Sequence, residues 1–262
     1  MTGERKATTK AGPGYKQWKP SLTEDGKTKV YNIRFLPYQD QNEQPFQEVA
    51  FYDDKAFTQW RLVAPAQFGL QDPVAELVTE LRKDRKNSSA WKVIKPLLPK
   101  PRFFAPILVR EEEKEGVQIW ELSPTMCKEL FSIFVSEDYR DEDVTDPNSG
   151  HDFQITVSAS GKTFTPPGSN KSYPVNDVKP LIRAKKTKLL ANAEEAQKLI
   201  DSIPNLVQIF KSQCKSSSEL ETLLENYLAQ PTSSGQPVED KEEKPEEPSD
   251  TADSIAAQFA GL

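Results

Sequence analysis

The chain has 262 residues, of which 36 % are hydrophobic and 28 % charged, and a formal net charge of −6. That length allows one or two domains with ample core, while a hydrophobic share below the usual ~45–50 % implies that part of the chain is unpacked. No apolar run approaches the ~18–20 residues that span a bilayer, no secretory signal is expected from Met1–Lys10, and Cys127, Cys214 and the single His151 leave almost no material for a disulfide framework, a His/Cys zinc site or a histidine-based triad.

Residues 1–20 read as a flexible basic arm, with Gly3, Gly12, Pro13, Gly14 and Pro20 and no periodic apolar pattern. Val30, Asn32, Ile33, Phe35 and Leu36 predict a strand closed by Pro37. Glu48–Tyr52 and Trp60–Val63 are two further short strands. Asp72-Pro73 opens a helix, with Asp72 as N-cap, Pro73 as first helical residue and Leu77, Val78 and Leu81 as the buried stripe. Phe103–Val109 and Val117–Leu122 read as strands around the polar turn Glu111–Gly116. Ser123-Pro124 starts a second helix with Met126, Leu130, Phe131 and Phe134 facing inward. Asp152–Ala159 alternates as a strand, and Gly161–Pro174 reads as the loop after it. Two late helices follow, Glu194–Ile200 capped by Asn192 and Leu220–Leu228 capped by Ser218 with Glu221 three residues on.

From Pro231 the composition is that of disorder. It ends with Ile255, Phe259 and Leu262 at the spacing of a helical docking face. Short strands broken by helices, with no regular β/α alternation, predict a mainly β fold with helical insertions, and an OB-fold core is the candidate. The expected organisation is a basic arm over 1–20, a core over 21–229 with a helical subdomain around 64–90, and a disordered acidic tail over 230–262.

The net charge hides segregation. Residues 239–253 hold eight acids and two lysines, and without them the chain has 32 basic and 32 acidic residues. Residues 1–34 carry eight Lys/Arg against three acids, residues 82–110 nine against Asp84, and residues 162–190 seven against Asp177. Residues 111–146 hold twelve acids and three bases. A polyanion responds to local potential rather than to the whole-chain sum, so a sequence pI near 5.2 does not exclude nucleic acid.

No Gly-x-Gly-x-x-Gly or P-loop pattern occurs. Asp53-Asp54 and Asp138, Asp141, Glu142 and Asp143 read as solvated surface. Cys127, beside Met126, Leu130 and Phe131, reads as a buried apolar residue, and His151 is assigned no role. No catalytic constellation or cofactor site is found, so no enzyme is expected. What remains is aromatic residues set among cations. Trp91-Lys92, Lys95, Lys100, Arg102 and Phe103-Phe104 form the densest run, and Lys162, Phe164, Lys171 and Tyr173 lie late in the chain. A single nucleic-acid strand exposes base faces that stack on such rings while cations follow its phosphates. Phe35, Phe131, Phe134 and Phe153 read as core. Phe164 and Tyr173 read as surface, and Trp91 and Phe103 stay open between the two.

Val30-Tyr31-Asn32-Ile33-Arg34-Phe35-Leu36-Pro37, with Trp18-Lys19-Pro20 upstream, resembles the opening of the T-even-type phage single-stranded DNA-binding proteins. Lys100-Pro101-Arg102-Phe103-Phe104-Ala105-Pro106-Ile107-Leu108-Val109 resembles that family's basic-aromatic strand. The resemblance implies an OB-fold cleft that holds single-stranded DNA without sequence preference, lined by Arg34, Lys100, Arg102, Phe103 and Phe104. Phe164 and Tyr173 are similar to the family's late aromatics, and Lys92 and Lys162 join the expected DNA-binding set. In the arm, Arg5-Lys6-Ala7-Thr8-Thr9 resembles the motif that contacts the neighbouring protomer, with Arg5, Lys6, Thr8 and Thr9 as its residues. Replication and recombination proteins would bind the tail, in the cytoplasm of an infected bacterial host. Well-known members hold a structural zinc through one His and three Cys, including a Cys-Pro-Val-Cys. The matching stretch here is Asp72-Pro73-Val74-Ala75, so zinc is expected absent, with Trp60, Leu62, Phe68, Leu77 and Leu81 packing that region instead. Two other functions stay open on sequence alone, an RNA-binding regulator using the same cleft and a scaffold acting through its acidic tail.

Overall fold

Alternating apolar residues draw the strands into one sheet. The computed structural model describes residues 14–38, 46–83, 88–165 and 170–229. The expected arm residues up to 13 and the tail from residue 230 lie outside them. Within the described residues the strands are β1 (Gln17–Trp18), β2 (Lys29–Phe35), β3 (Gln47–Tyr52), β4 (Leu62–Val63), β5 (Lys100–Val109), β6 (Gln118–Leu122), β7 (His151–Phe164) and β8 (Tyr173–Lys186). They run in the order β1-β6-β5-β2-β7-β8, with β3 paired to both β5 and β4. All pairs are antiparallel except β1 with β6. The fold is therefore largely β with helical parts: α1 (Pro73–Lys83), α2 (Ser88–Ile94), α3 (Pro124–Phe134), α4 (Ala193–Asp201), α5 (Leu206–Ser212) and α6 (Ser217–Ala229). Met1–Tyr227 forms one unit, and of the second, Leu228–Leu262, only the first two residues are described.

The central strand β5 joins the parts. Its first half pairs with β3, from Phe51↔Lys100 to Gln47↔Phe104, and its end pairs with β2, from Phe35↔Ile107 to Ile33↔Val109. Successive side chains point to opposite faces, and both faces are covered. Phe103, Ala105 and Ile107 pack on Phe35, Trp120, Phe153 and the inner side of α3. Phe104 packs on Phe51, Val63 and Phe210 of α5. A third cluster joins Tyr52, Phe57, Val74, Val78, Ile94 and Leu97 to Leu220 and Leu224 of α6.

Several boundaries differ from the sequence reading, each for a local reason. The packed body begins inside the expected arm, because Trp18 is buried with edge-on contacts to Tyr31 at 5.2 Å and Trp120 at 5.1 Å. The stretch read as the loop Gly161–Pro174 is strand as far as Phe164 and again from Tyr173. The edge strand β8 tolerates Pro174 and Pro180, which lack the N–H an inner strand requires. The late capping box is two residues earlier than expected, with Ser216 and Glu219 exchanging backbone bonds. Helices α2 and α5, seven residues each, had no long periodic stripe to betray them. Trp60, expected to pack around α1, is 68 % exposed, whereas Leu62, Leu77 and Leu81 do pack there and Phe68 packs on the α5 side.

Asp72 is the N-cap expected for α1, and it does more. Its carboxylate, in a residue 3 % exposed, accepts from Val74 N at 3.1 Å, Ala75 N at 3.2 Å, Ala66 N at 3.2 Å and the Tyr52 hydroxyl at 2.8 Å. Burial, then Asp72, pushes the Tyr52 hydroxyl far above its usual range. The donor set at the Asp-Pro-Val-Ala stretch does not fit a zinc ion. Its one acid is committed to four donors, and no group of three His, Cys, Asp or Glu able to hold a metal exists among the described residues.

Candidate nucleic-acid interface

An open groove of about 950 Å³ runs beside the sheet, lined by β1, β6, the first half of α3, the segment Pro174–Val178 of β8 and Arg102 of β5. It lies next to the end of the β7–β8 hairpin, where Phe164 and Tyr173 pair across the strands and are 55 % and 51 % exposed. A bulge at Ala159–Thr163 shapes the approach to that pair. Gly161 takes φ +72° there, the left-handed conformation that favours glycine. The Ser160 hydroxyl fixes the bulge, donating to Val175 O at 2.6 Å and accepting from Lys162 N at 3.1 Å. Lys162 itself is exposed beside the aromatic pair.

Cations gather around the start of β5, where Arg102 lines the groove and Arg61 a neighbouring pocket. Lys100 pairs with Asp53 at 2.8 Å, and Arg102 lies 3.5 Å from Asp53 and 3.7 Å from Glu121. Arg61, which sequence reasoning passed over, bonds Glu121 through both terminal nitrogens and lies over the Phe51 ring at 4.3 Å. Its isolated position between Trp60 and Leu62 gave no charge-block signal. Only the sheet register brings it to Arg102.

The other expected site residues sit elsewhere. Lys92 is exposed on α2 and does not line the groove. Phe103 and Phe104, expected on the cleft surface, are 7 % and 0 % exposed because β5 is covered on both sides. Arg34, also expected there, is 0 % exposed. It donates through Nη2 to Thr187 O and to Thr187 Oγ1 at 3.1 Å, and its Nε lies 3.5 Å from Asp152. Asp152 also receives Nε and Nη2 of Arg110, which in turn donates to Lys188 O and Leu189 O. Arg34 is thus part of a clamp on the segment after β8. His151, given no role from sequence, is 2 % exposed, with Nδ1 2.8 Å from Arg183 O and Nε2 2.8 Å from Glu142. Cys127 is buried as expected, which pushes its thiol up to about 12.

Four acids of the block 111–146 pair with cations from other parts of the chain. Glu113 pairs with Arg110, Glu115 with Lys16, Glu121 with Arg61 and Arg102, and Glu142 with Lys186. Cations and exposed rings are the groups a single strand engages, its phosphates at charge and its bases at aromatic faces. The chain belongs to the gp32 DNA-binding-protein-like family, whose model matches residues 27–228, and is a DNA-binding protein by that membership. No curated protein matches it. No helix among the described residues is long and apolar enough to cross a membrane.

Proposed function

We propose that this protein binds single-stranded DNA without sequence preference and protects it during phage replication, recombination and repair. The observation that carries the reading is the exposed Phe164–Tyr173 pair, next in the chain to Pro174 of a groove that also holds Arg102, in a chain of a DNA-binding family. A duplex keeps its base faces stacked, whereas a single strand offers them to both rings. The largely antiparallel sheet, with β5 shared between β2 and β3, is read as an OB-type barrel carrying helical insertions. Arg5, Lys6, Thr8 and Thr9 are read as the contact between protomers on DNA, and the acidic tail as the contact for replication and recombination proteins, in the cytoplasm of the infected host.

The test is tryptophan fluorescence during titration with oligothymidylate at several salt concentrations, because Trp18 and Trp120 line the groove. Quenching is expected, with log affinity falling against log salt by about 0.7 per phosphate neutralised. Absence of binding at low salt, checked by sedimentation, removes the reading. Preference for an RNA oligomer in competition would replace DNA by RNA as the ligand.

A further inference from the structure

Arg61 and Arg102 share one carboxylate. Glu121 of β6 takes both terminal nitrogens of Arg61, Nη2 at 3.0 Å, while its Oε1 lies 3.7 Å from Arg102 Nε. Arg102 reaches on to Asp53, which also holds Lys100. Three cations therefore stand on two acids, with Glu121 and Asp53 only 20 % and 18 % exposed and Arg61 37 %. Both Glu121 and Arg102 line the groove.

A carboxylate and a phosphodiester each present two oxygens to a guanidinium fork. We propose that this cluster is a phosphate-exchange site. In the DNA-free protein Glu121 holds Arg102 in the groove and Arg61 at the adjoining pocket lined by Gln17 and Phe51, and it gives both up to a backbone phosphate of the entering strand. Arg61 is then a phosphate contact, and Glu121 is the residue that limits affinity, since after the exchange its charge faces the phosphate. The proposal rests on the single-strand reading above. The Phe51 ring under Arg61 supports the guanidinium independently of Glu121. Removing the negative charge thus leaves the cations in place.

The experiment compares the full chain with Glu121→Gln in oligothymidylate titrations over a salt series, with a thermal melt of each. E121Q is expected to bind at least about threefold tighter, the repulsion of one unit charge ~6 Å away in water. Its salt dependence is expected to steepen by about 0.7, one further phosphate. The double variant E121Q/R61Q loses that gain. Glu129→Gln removes a charge from the same groove wall, at a residue with no ion pair among the described residues, and gains less than half as much. Equal or weaker binding by E121Q, or an equal gain in E129Q, overturns the exchange while leaving single-strand binding intact. If the unmutated chain does not bind, the single-strand reading falls and this proposal with it. Should E121Q melt early, Arg61→Lys carries the test, because it keeps the charge and loses the fork. Weaker binding is then expected, and unchanged binding overturns the proposal.

Discussion

Phe164 and Tyr173 stand directly opposite each other at the end of the β7–β8 hairpin, with about half of each side chain exposed and neither in a core cluster. Cross-strand aromatic pairs of this kind add at most about 1 kcal/mol to a sheet, so stability alone does not account for two large rings held in solvent. The proposed stacking on bases gives them a role. Phe164→Ala and Tyr173→Ala are each expected to weaken oligothymidylate binding by ~1–3 kcal/mol, while the melting transition stays within ~0.5 kcal/mol of the parent. The double variant tells whether the rings grip one base or two, since coupled residues give a combined loss that differs from the sum. Unchanged affinity in both single variants would remove the pair from the interface.

Arg34 and Asp152 lie directly opposite each other on β2 and β7, and Arg110 shares the same carboxylate. Burial lowers the Arg34 pKa, and Asp152 works against that shift. Asp152→Asn strands a buried cation, so it is expected to destabilise the fold by ~3–5 kcal/mol. Replacing Arg34 by Met removes the need for the partner and is expected to cost less. Urea unfolding of both variants decides the matter. A small loss in D152N would show that Arg34 does not depend on its carboxylate.

How far the fold was legible follows from how each residue's surroundings are encoded. Strand β2 and helix α3 could be read because their apolar periods are local, and Asp72-Pro73 and Ser123-Pro124 are local helix starts. Phe103 and Phe104 were misread because exposure on β5 depends on what covers its second face. Over Phe104 that cover is α5, about a hundred residues later, while Phe103 on the opposite face packs in the cluster with α3. Strand β8 carries Pro174, Pro180 and Asn176-Asp177, which spell a loop unless the strand is known to be at an edge. Arg61 was missed in the same way, because its value lies in meeting Glu121 across the sheet.

Helix α6 provides a pH test of the corrected cap. Glu219 accepts from Lys215 and from the Ser216 amide, which hold its carboxyl down to about 2 from an ordinary 4.5. The folded value is the lower one, so its stabilisation is complete above about pH 4.5 and is lost as pH falls toward 2. Wild type and Glu219→Gln are expected to differ in helicity and melting temperature at pH 5 and to converge near pH 2. Melting curves at half-unit pH steps would show this. A constant difference across the range would mean that the charge of Glu219 plays no part in the cap.

The single carboxylate of Asp72 gathers four donors from β3, the turn at Pro65–Phe68 and α1. Those three segments are thereby joined through one buried side chain. Asp72→Ala loses the helix cap, ~0.5–2 kcal/mol, and strands the buried Tyr52 hydroxyl, ~1–3 kcal/mol. A total loss of roughly 2–4 kcal/mol in urea unfolding is expected from these two effects. Asp72→Asn keeps an acceptor for the helix amides and is expected to lose less. Treating the unmutated chain with a strong chelator is expected to leave its melting temperature unchanged, because no ligand set there awaits an ion. A chelator-induced drop would place a metal in this region after all. A loss below about 1 kcal/mol in D72A, less than one stranded buried hydroxyl costs, would shift the weight of the region from Asp72 to the packing of Val74, Val78, Ile94 and Leu220.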